Sequence, residues 1–320
     1  MKELANISVY PFDIEPFGGW ENVVQFHRSL GLDGLEVLTA FDGTNGTPPE
    51  AVTAVHFPFS MDWMVPWLGG NLEGSFSREE ILFFYGGSCP DDLIDNLRGY
   101  IRDAATLKPA YGVFHVTNSS VEEVLTGRRV NGSKLVLEQA AKMLNEAVSV
   151  FPGGEPPVRM FFENSWWEGL TFTDPEETSS FASSLSFSNW AFLLDTGHLL
   201  NTTTSCRSEE EGVDYILDVV GKLPSEVRRR IEGIHLNLSL SGEAREAQGL
   251  PGYASGDFQA NLTRAWERIS MTDQHRPFTT PHCSRLLDLL EPDYVTHEFI
   301  FDNLEDRRAK IATQRRALGT

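Results

Sequence analysis

Eight short apolar segments, spread along the whole chain, limit its fold more than any other feature. They read ISVY, LEVL, AVHF, GVFHV, RMFFE, AFLLD, GIHL and YVTHEF, and they occupy residues 7–10, 35–38, 54–57, 112–116, 159–163, 191–195, 233–236 and 294–299. Such nearly continuous apolar strands are typical of a parallel sheet that is buried on both faces. Between them lie amphipathic stretches, such as residues 133–151, with the three-to-four apolar spacing of a helix on a core.

Eight strands that alternate with helices predict an α/β fold, a single (β/α)₈ barrel over residues 1–320. An open, doubly wound sheet is the alternative, but the chain has no glycine-rich phosphate-binding turn after a strand. Three strands are followed by extended loops, at residues 42–49, 61–87 and 238–256. We expect these loops at the C-terminal face of the barrel, where such folds carry their chemistry.

The acidic composition restricts the partners that the chain can bind. It has 46 Asp and Glu against 26 Lys and Arg, a net charge of −20. This charge argues against nucleic acid and anionic membranes as partners and favours a small-molecule substrate. Three widely spaced cysteines predict neither a disulfide framework nor a thiolate zinc site. With no apolar run of about 20 residues and no signal-peptide pattern, we expect a cytoplasmic protein.

Histidines and acids gather at the C-terminal ends of the predicted strands. Strands three to eight carry or precede seven of them: His56, His115, Glu163, Asp195, His198, His235 and Glu298. In a barrel these side chains converge on one mouth. Imidazoles and carboxylates without thiolates suit a divalent ion, with Zn²⁺ favoured and Mn²⁺ as an alternative.

A further pair of candidate ligands lies between the last two strands. Asp273 and His275, in the segment TDQHRPF, are separated by one residue. In an extended segment both side chains point the same way, so both can bind one ion. The 38 residues between His235 and Asp273 also contain a predicted extra helix at 257–269.

With these residues in place, the chain resembles the xylose-isomerase-like TIM-barrel superfamily, and within it the endonuclease IV branch, the family-2 apurinic endonucleases. The resemblance rests on the segments HFPF, VFHVTN, FFENSWW, LLDTGHLLN, GIHLN, TDQH and THEF. They fill all nine positions of that branch's trinuclear zinc pattern. The sugar-phosphate isomerases and epimerases of the superfamily share only the subset Glu163, Asp195, His235 and Glu298, which holds one ion.

The resemblance also implies a role for each position. Glu163 bridges two ions; His56 and His115 complete the first, and Asp195, His235 and Glu298 complete the second. The third ion is implied to be bound by His198, Asp273 and His275. Catalytic roles fall to Glu163, Glu298 and His198. Neighbouring residues are predicted to contact substrate: Asn164, Trp166, Trp167, Asn237 and Arg276.

Three functions remain open from the sequence. The first is a metal-dependent hydrolase of a small phosphoester or phosphodiester, with DNA disfavoured because the acidic loop TAFDGTNGTPP after strand two has no Lys or Arg. The second is a single-metal sugar or sugar-phosphate isomerase or epimerase that uses Glu163 and Glu298 as its acid/base pair. The third is a binding module that has lost activity. One to three ions are compatible with these functions, and the oligomeric state is open.

Overall fold

Eight parallel strands close into a barrel in the computed structural model, which describes residues 1–41, 43–72, 76–254 and 257–320. The barrel strands are β1 (Lys2–Ser8), β2 (Gly34–Leu38), β3 (Ala54–His56), β4 (Gly112–His115), β6 (Met160–Glu163), β8 (Trp190–Asp195), β9 (Ile231–Leu236) and β10 (Tyr294–His297). Two further strands, β5 (Thr117–Asn118) and β7 (Glu168–Gly169), form a separate antiparallel pair. The closed order β1-β10-β9-β8-β6-β4-β3-β2 confirms the predicted barrel and excludes the open sheet.

Helices follow the strands along the described chain. They are α1 (Pro11–Ile14), α2 (Trp20–Ser29), α3 (Met64–Trp67), α4 (Arg78–Tyr85), α5 (Pro90–Thr106), α6 (Val121–Thr126), α7 (Ser133–Val148), α8 (Pro175–Ser184), α9 (Thr196–Leu200), α10 (Glu209–Lys222), α11 (Ser225–Arg228), α12 (Gly242–Gln248), α13 (Phe258–Thr272), α14 (Ser284–Leu290) and α15 (Leu304–Leu318). Short 3₁₀ turns lie at Glu15–Phe17, Pro49–Ala51, Pro152–Gly154 and Pro281–Cys283. Among the described residues, no helix combines the length and the apolar character that a membrane span requires.

The first strand starts earlier than its apolar pattern predicts. It begins at Lys2, which pairs with Tyr294, whereas the apolar segment begins at residue 7. Glu3 interrupts the apolar pattern, and its carboxylate is bound by His297 and by Arg315. A buried polar residue with such partners fits a strand, although periodicity alone does not reveal it.

Two of the three extended loops contain short helices in their described residues. The loop at 61–87 includes α3 and α4, and the loop at 238–256 includes α12. The extra helix predicted at 257–269 is confirmed as α13, and Asp257 caps it by accepting a hydrogen bond from Ala260 N. Residues 42, 73–75 and 255–256 of these loops lie outside the described residues.

An apolar layer fills the barrel directly below the predicted site. Val113, Phe161 and Leu193 belong to one buried cluster, and Tyr111 stacks on Phe161 with ring centroids 4.1 Å apart. Because side chains alternate along a strand, the residues two positions further on also point inward. The barrel therefore presents a polar layer of strand-end residues on top of an apolar one.

A buried histidine ties the outer helix α2 to the C-terminal helix α15. His27 Nδ1 donates to the carbonyl of Val23 at 2.7 Å, and its Nε2 accepts from Arg307 Nε at 2.8 Å. Burial, together with the charge of Arg307, lowers the pKa of His27 from 6.5 to about 3.

Acid should therefore weaken the fold through His27. Between pH 6.5 and about 3 the unfolded state binds a proton that the folded state excludes, so this stabilisation is complete above pH 6.5 and declines as the pH falls. We expect the gap in unfolding free energy between the wild type and His27→Gln to shrink by roughly 2 kcal/mol from pH 7 to pH 5. Urea denaturation at both pH values measures it. Asn22→Ala, on the same helix, is the control: its difference from the wild type in unfolding free energy should be the same at pH 7 and pH 5. If the difference for His27→Gln is also the same at both pH values, His27 does not contribute to the pH dependence of stability.

Candidate metal centre

Nine side chains meet at the C-terminal mouth of the barrel, in three groups that could each hold a metal ion. The groups are His56, His115 and Glu163; Glu163, Asp195, His235 and Glu298; and His198, Asp273 and His275. Within each group, one potential ligand atom per residue lies within 4.8 Å of the others. The structure thus brings together every residue that the sequence proposed as a ligand, with Glu163 shared by two groups.

Glu163 lies at the centre of this arrangement. Its Oε2 is 3.2 Å from Nε2 of His56 and 3.2 Å from Nε2 of His115. Its Oε1 is 3.3 Å from Nδ1 of His198 and 3.3 Å from Nδ1 of His235. The side chain is fully buried. One carboxylate therefore contacts imidazoles from β3, β4, β9 and the start of α9.

Backbone carbonyls orient three of the histidines. Nδ1 of His56 faces the carbonyl of Phe57 at 2.8 Å, Nδ1 of His198 faces that of Asn164 at 2.9 Å, and Nδ1 of His275 faces that of Glu298 at 3.2 Å. A carbonyl can only accept, so each Nδ1 carries a proton, and each Nε2 faces a carboxylate, where it can give up its proton and bind an ion instead. Histidines that bind metals in proteins are commonly oriented in this way.

Glu36 is a functional candidate that the sequence reasoning missed. It lies on β2, and its Oε1 is 2.6 Å from Nε2 of His235. Tyr111 and Thr296 both donate to its Oε2, at 2.7 and 3.1 Å. This carboxylate orients His235 so that Nδ1 faces Glu163 and Glu298, each at 3.3 Å. The available signal was an acid inside the apolar segment LEVL.

Two buried asparagines hold Asp195. Asn164 accepts from Asp195 N at 2.8 Å and donates to its carbonyl at 3.0 Å. Asn237 Nδ2 donates to the Asp195 carboxylate at 2.9 Å and lies 3.4 Å from Oε2 of Glu298. A Cβ at Gly197 would lie 1.8 Å from Asn237 Oδ1, so the turn after Asp195 requires glycine. Both asparagines lie beneath the mouth, where they position acids.

The segment with Asp273 and His275 is fastened to the end of β9. Leu238 and Arg276 form an antiparallel bridge with N–O distances of 2.7 and 3.1 Å. Asn201 Nδ2 and Ser239 Oγ donate to Asp273 Oδ1 at 3.2 and 3.3 Å. This bridge brings the pair to the mouth despite the long intervening loop.

The predicted extended geometry of that segment is wrong at His275. Its φ is 44°, in the left-handed region that residues other than glycine rarely adopt. Its Nε2 nevertheless lies 2.7 Å from Asp273 Oδ2, which is 3.3 Å from Nε2 of His198. Backbone strain of this kind clusters at functional sites.

The acids and imidazoles of the mouth shift one another's protonation. Burial opposes the ionisation of Glu163, but His115 and His235 hold its pKa well below the usual range. Burial raises the pKa of Asp195 well above its ordinary value. Burial also disfavours a charged His275, yet Asp273 and Glu298 raise its pKa to about 10. Protonated imidazoles here occupy the position that a cation would take beside the acids.

The donor set fits divalent ions. Among the described residues, no Lys or Arg forms an ion pair with any of the four acids of the mouth, whose charged partners are all histidines. Buried carboxylates without a permanent cationic partner are costly. Once deprotonated, the inward Nε2 atoms of His56, His198 and His275 match ions that prefer nitrogen and oxygen ligands.

The mouth opens into a cavity of about 920 Å³, here called the central cavity. Aromatic rings form much of its wall, including Phe41, Phe59, Phe83 and Trp266. Trp166 and Trp167 also line it, and Trp166 packs on His198 with ring centroids 4.9 Å apart.

The remaining predicted substrate contact lies elsewhere. The Arg276 side chain is exposed, donates to Gln274 Oε1, and is not part of the described wall of the central cavity.

Solved structures with the same fold were found, whereas no family model and no curated protein matches the sequence. Endonuclease IV from Thermus thermophilus is similar with a TM-score of 0.54 and 15% identity, covering 100% of this chain and 99% of that one. D-psicose 3-epimerase from Clostridium cellulolyticum is similar with a TM-score of 0.50 and 11% identity, covering 99% of both chains. An L-ribulose 3-epimerase is similar with a TM-score of 0.52 and 12% identity, covering 98% of this chain and 93% of that one. The chain therefore has the xylose-isomerase-like TIM-barrel fold that the sequence resemblance implied.

Proposed function

We propose that this protein is a metal-dependent hydrolase that cleaves a small phosphodiester with three divalent ions, for which Zn²⁺ is the first choice. The observation that carries the proposal is the third group, His198, Asp273 and His275. A single-metal isomerase needs only Glu163, Asp195, His235 and Glu298. The third group would then have no purpose, although two carbonyls and an anchored aspartate hold it in a ligand-like geometry.

The ions would supply charge neutralisation for the phosphoryl group and a lowered pKa for the attacking water. Glu298 is the acid best placed to accept the proton of that water, because its side chain is 15% exposed whereas Glu163 and Asp195 are fully buried. As the water oxygen bonds to phosphorus, the P–O bond to the leaving alcohol breaks, and the proton that Glu298 accepted is returned through solvent to the alcohol oxygen. Glu36 and Asn237 act as positioning residues for His235, Asp195 and Glu298.

A small substrate fits the charge distribution better than DNA does. The net charge of −20 and the absence of Lys and Arg from residues 39–53 leave little to bind a long polyanion. In the described wall of the central cavity the one arginine is Arg307, which is buried and bonded to His27 and to the carbonyl of Asn6. A diester with one negative charge and an apolar substituent suits this cavity better than a dianionic monoester.

The metal content provides the first test. We expect inductively coupled plasma mass spectrometry to find about three divalent ions per chain in the purified wild type. The double variant Asp273→Asn/His275→Gln removes two ligands of the third group and should retain about two ions. Its far-ultraviolet circular dichroism should be unchanged, because both positions lie in a loop.

A matched control exists on the surface. Asp214 and His282 form a similar acid–imidazole pair at 3.2 Å, and neither residue lines the central cavity. Asp214→Asn/His282→Gln should keep the full complement of ions. A wild type that holds only one ion per chain refutes the three-ion proposal.

The alternative function is a single-metal sugar or sugar-phosphate isomerase or epimerase. The observation in its favour is that Glu163 and Glu298 both approach His235 Nδ1, each at 3.3 Å, so two carboxylates flank one ion position. Such a pair could exchange protons on a sugar carbon.

The variant Glu298→Gln tests whether the protein is an enzyme or only binds a ligand. The reaction products show whether the enzyme is a hydrolase or an isomerase. Hydrolysis of bis(p-nitrophenyl) phosphate should fall about 10²- to 10⁴-fold in this variant, since a general base is lost. Exposed Glu226→Gln serves as the control and should leave the rate unchanged. Solvent deuterium entering a ketose carbon, with no diester cleavage, would instead establish the isomerase. Unchanged turnover in Glu298→Gln would remove this residue from the mechanism.

A further inference from the structure

A second cavity, of about 230 Å³, adjoins the metal centre. We call it the arginine pocket, after Arg128, Arg129, Arg245 and Arg268 in its wall. Trp166, Trp167 and Ile269 line both this pocket and the central cavity. The two cavities are therefore separated by a shared wall that includes a pair of tryptophans with ring centroids 4.6 Å apart.

Four arginines in one pocket stand out in so acidic a chain. Arg129 forms an ion pair with Glu168 at 3.2 Å. In the described part of the chain, Arg128, Arg245 and Arg268 form no ion pair with a carboxylate. Uncompensated cations that share one concave site attract anions.

Two acids also line the pocket, and both are engaged. Glu168 pairs with Arg129, as above. Glu123 accepts from the backbone N–H groups of Ser120 and Val130, both at 2.8 Å, and so caps the short helix α6. With four guanidinium groups against two carboxylates, the pocket retains a net positive charge.

Arg245 and Arg268 lie on the two helices beside the metal centre, α12 and α13. Arg245 Nη1 donates to the carbonyl of Asn201 at 2.8 Å, and Arg268 Nη1 donates to that of Gly249 at 2.8 Å. Burial, with the neighbouring Arg268, lowers the pKa of Arg245. Each guanidinium has five N–H groups, so most donors remain for a ligand.

A short chain of contacts joins this pocket to the third metal group. Asn201, whose carbonyl binds Arg245, uses its side-chain amide to donate to Asp273 at 3.2 Å. Thr272, the residue before Asp273, lies in the pocket wall. The arginine pocket therefore begins one residue away from the proposed ligands.

We propose that the arginine pocket binds a second anionic group, a phosphate or a carboxylate, of the molecule that reacts at the metal centre. The substrate would be a small phosphodiester whose reacting phosphate meets the ions and whose apolar spacer packs on Trp166 and Trp167. This inference rests on the proposed function for the reaction, but the binding of a doubly anionic molecule can be measured without turnover.

Non-hydrolysable phosphonates test the binding. Calorimetric titration of the purified, metal-containing protein would compare butylphosphonate with 1,ω-diphosphonates and ω-carboxyalkylphosphonates whose spacers have two to six methylenes. We expect at least one ligand with two anionic groups to bind about tenfold more tightly than butylphosphonate, which has one such group. A tenfold gain is the usual effect of one charge-assisted contact. The second group, phosphonate or carboxylate, that increases the affinity more is the anion that the pocket prefers.

Arginine variants locate the effect. Arg245→Gln/Arg268→Gln should abolish the tenfold preference and leave the affinity for butylphosphonate unchanged. Since Arg245 also binds two backbone carbonyls, Arg268→Gln alone, with one such bond, is the second variant and should remove most of the preference. Exposed Arg285→Gln, which pairs with Asp214, is the matched control and should keep it.

The outcomes separate this inference from the proposed hydrolase. If no doubly anionic ligand is preferred, or if the double variant retains the preference, the arginine pocket is not a substrate site. If the preference exists and depends on the arginines while no diester is cleaved, the pocket stands and the hydrolase proposal fails. If p-nitrophenyl butyl phosphate is cleaved and its ω-carboxyl and ω-phosphonate analogues show the same KM, the hydrolase stands and the pocket fails.

Discussion

The buried carboxylate of Glu163 is the constraint on which the mouth of this barrel depends. An ionised carboxylate without water is costly unless it is paired and hydrogen-bonded. Its side-chain partners of basic type among the described residues are the imidazoles of His56, His115, His198 and His235, at 3.2 to 3.3 Å. Unlike arginine, an imidazole can give up its proton and bind an ion through the freed nitrogen. A layer neutralised by such groups can exchange their protons for divalent ions, which links metal binding to proton release.

The barrel makes this arrangement possible because it places a polar layer on an apolar one. Phe161 and Glu163 point into the same interior from one strand, two residues apart. Glu36 lies at the boundary, where Tyr111 and Thr296 donate to one of its carboxylate oxygens and His235 lies against the other. The apolar layer excludes water, so each polar contact above it is stronger than it would be in solvent.

The strand ends and their ligands could be predicted from the sequence because both follow from local pattern. A run such as RMFFE predicts a buried strand and shows the acid at its end within five residues. Long-range contacts leave no such pattern. Glu36 stands in an apolar strand, and its role depends on a histidine about 200 residues away in the chain. The left-handed φ of His275 lies next to the Leu238–Arg276 bridge, a long-range contact that no periodicity encodes.

The same limit applies to charge. A net charge of −20 describes the whole surface, and three divalent ions would change it only to −14. Charges far apart in the sequence can still lie together in the fold: Arg128 in the loop after α6, Arg245 on α12 and Arg268 on α13 line one pocket beside the mouth. Cationic clefts with low-dielectric walls concentrate small anions, while an acidic outer surface repels long ones. In the function proposed here, the charge distribution therefore favours small anionic substrates over long ones. The tryptophan wall between the two cavities sets the distance between the two anionic groups of such a substrate.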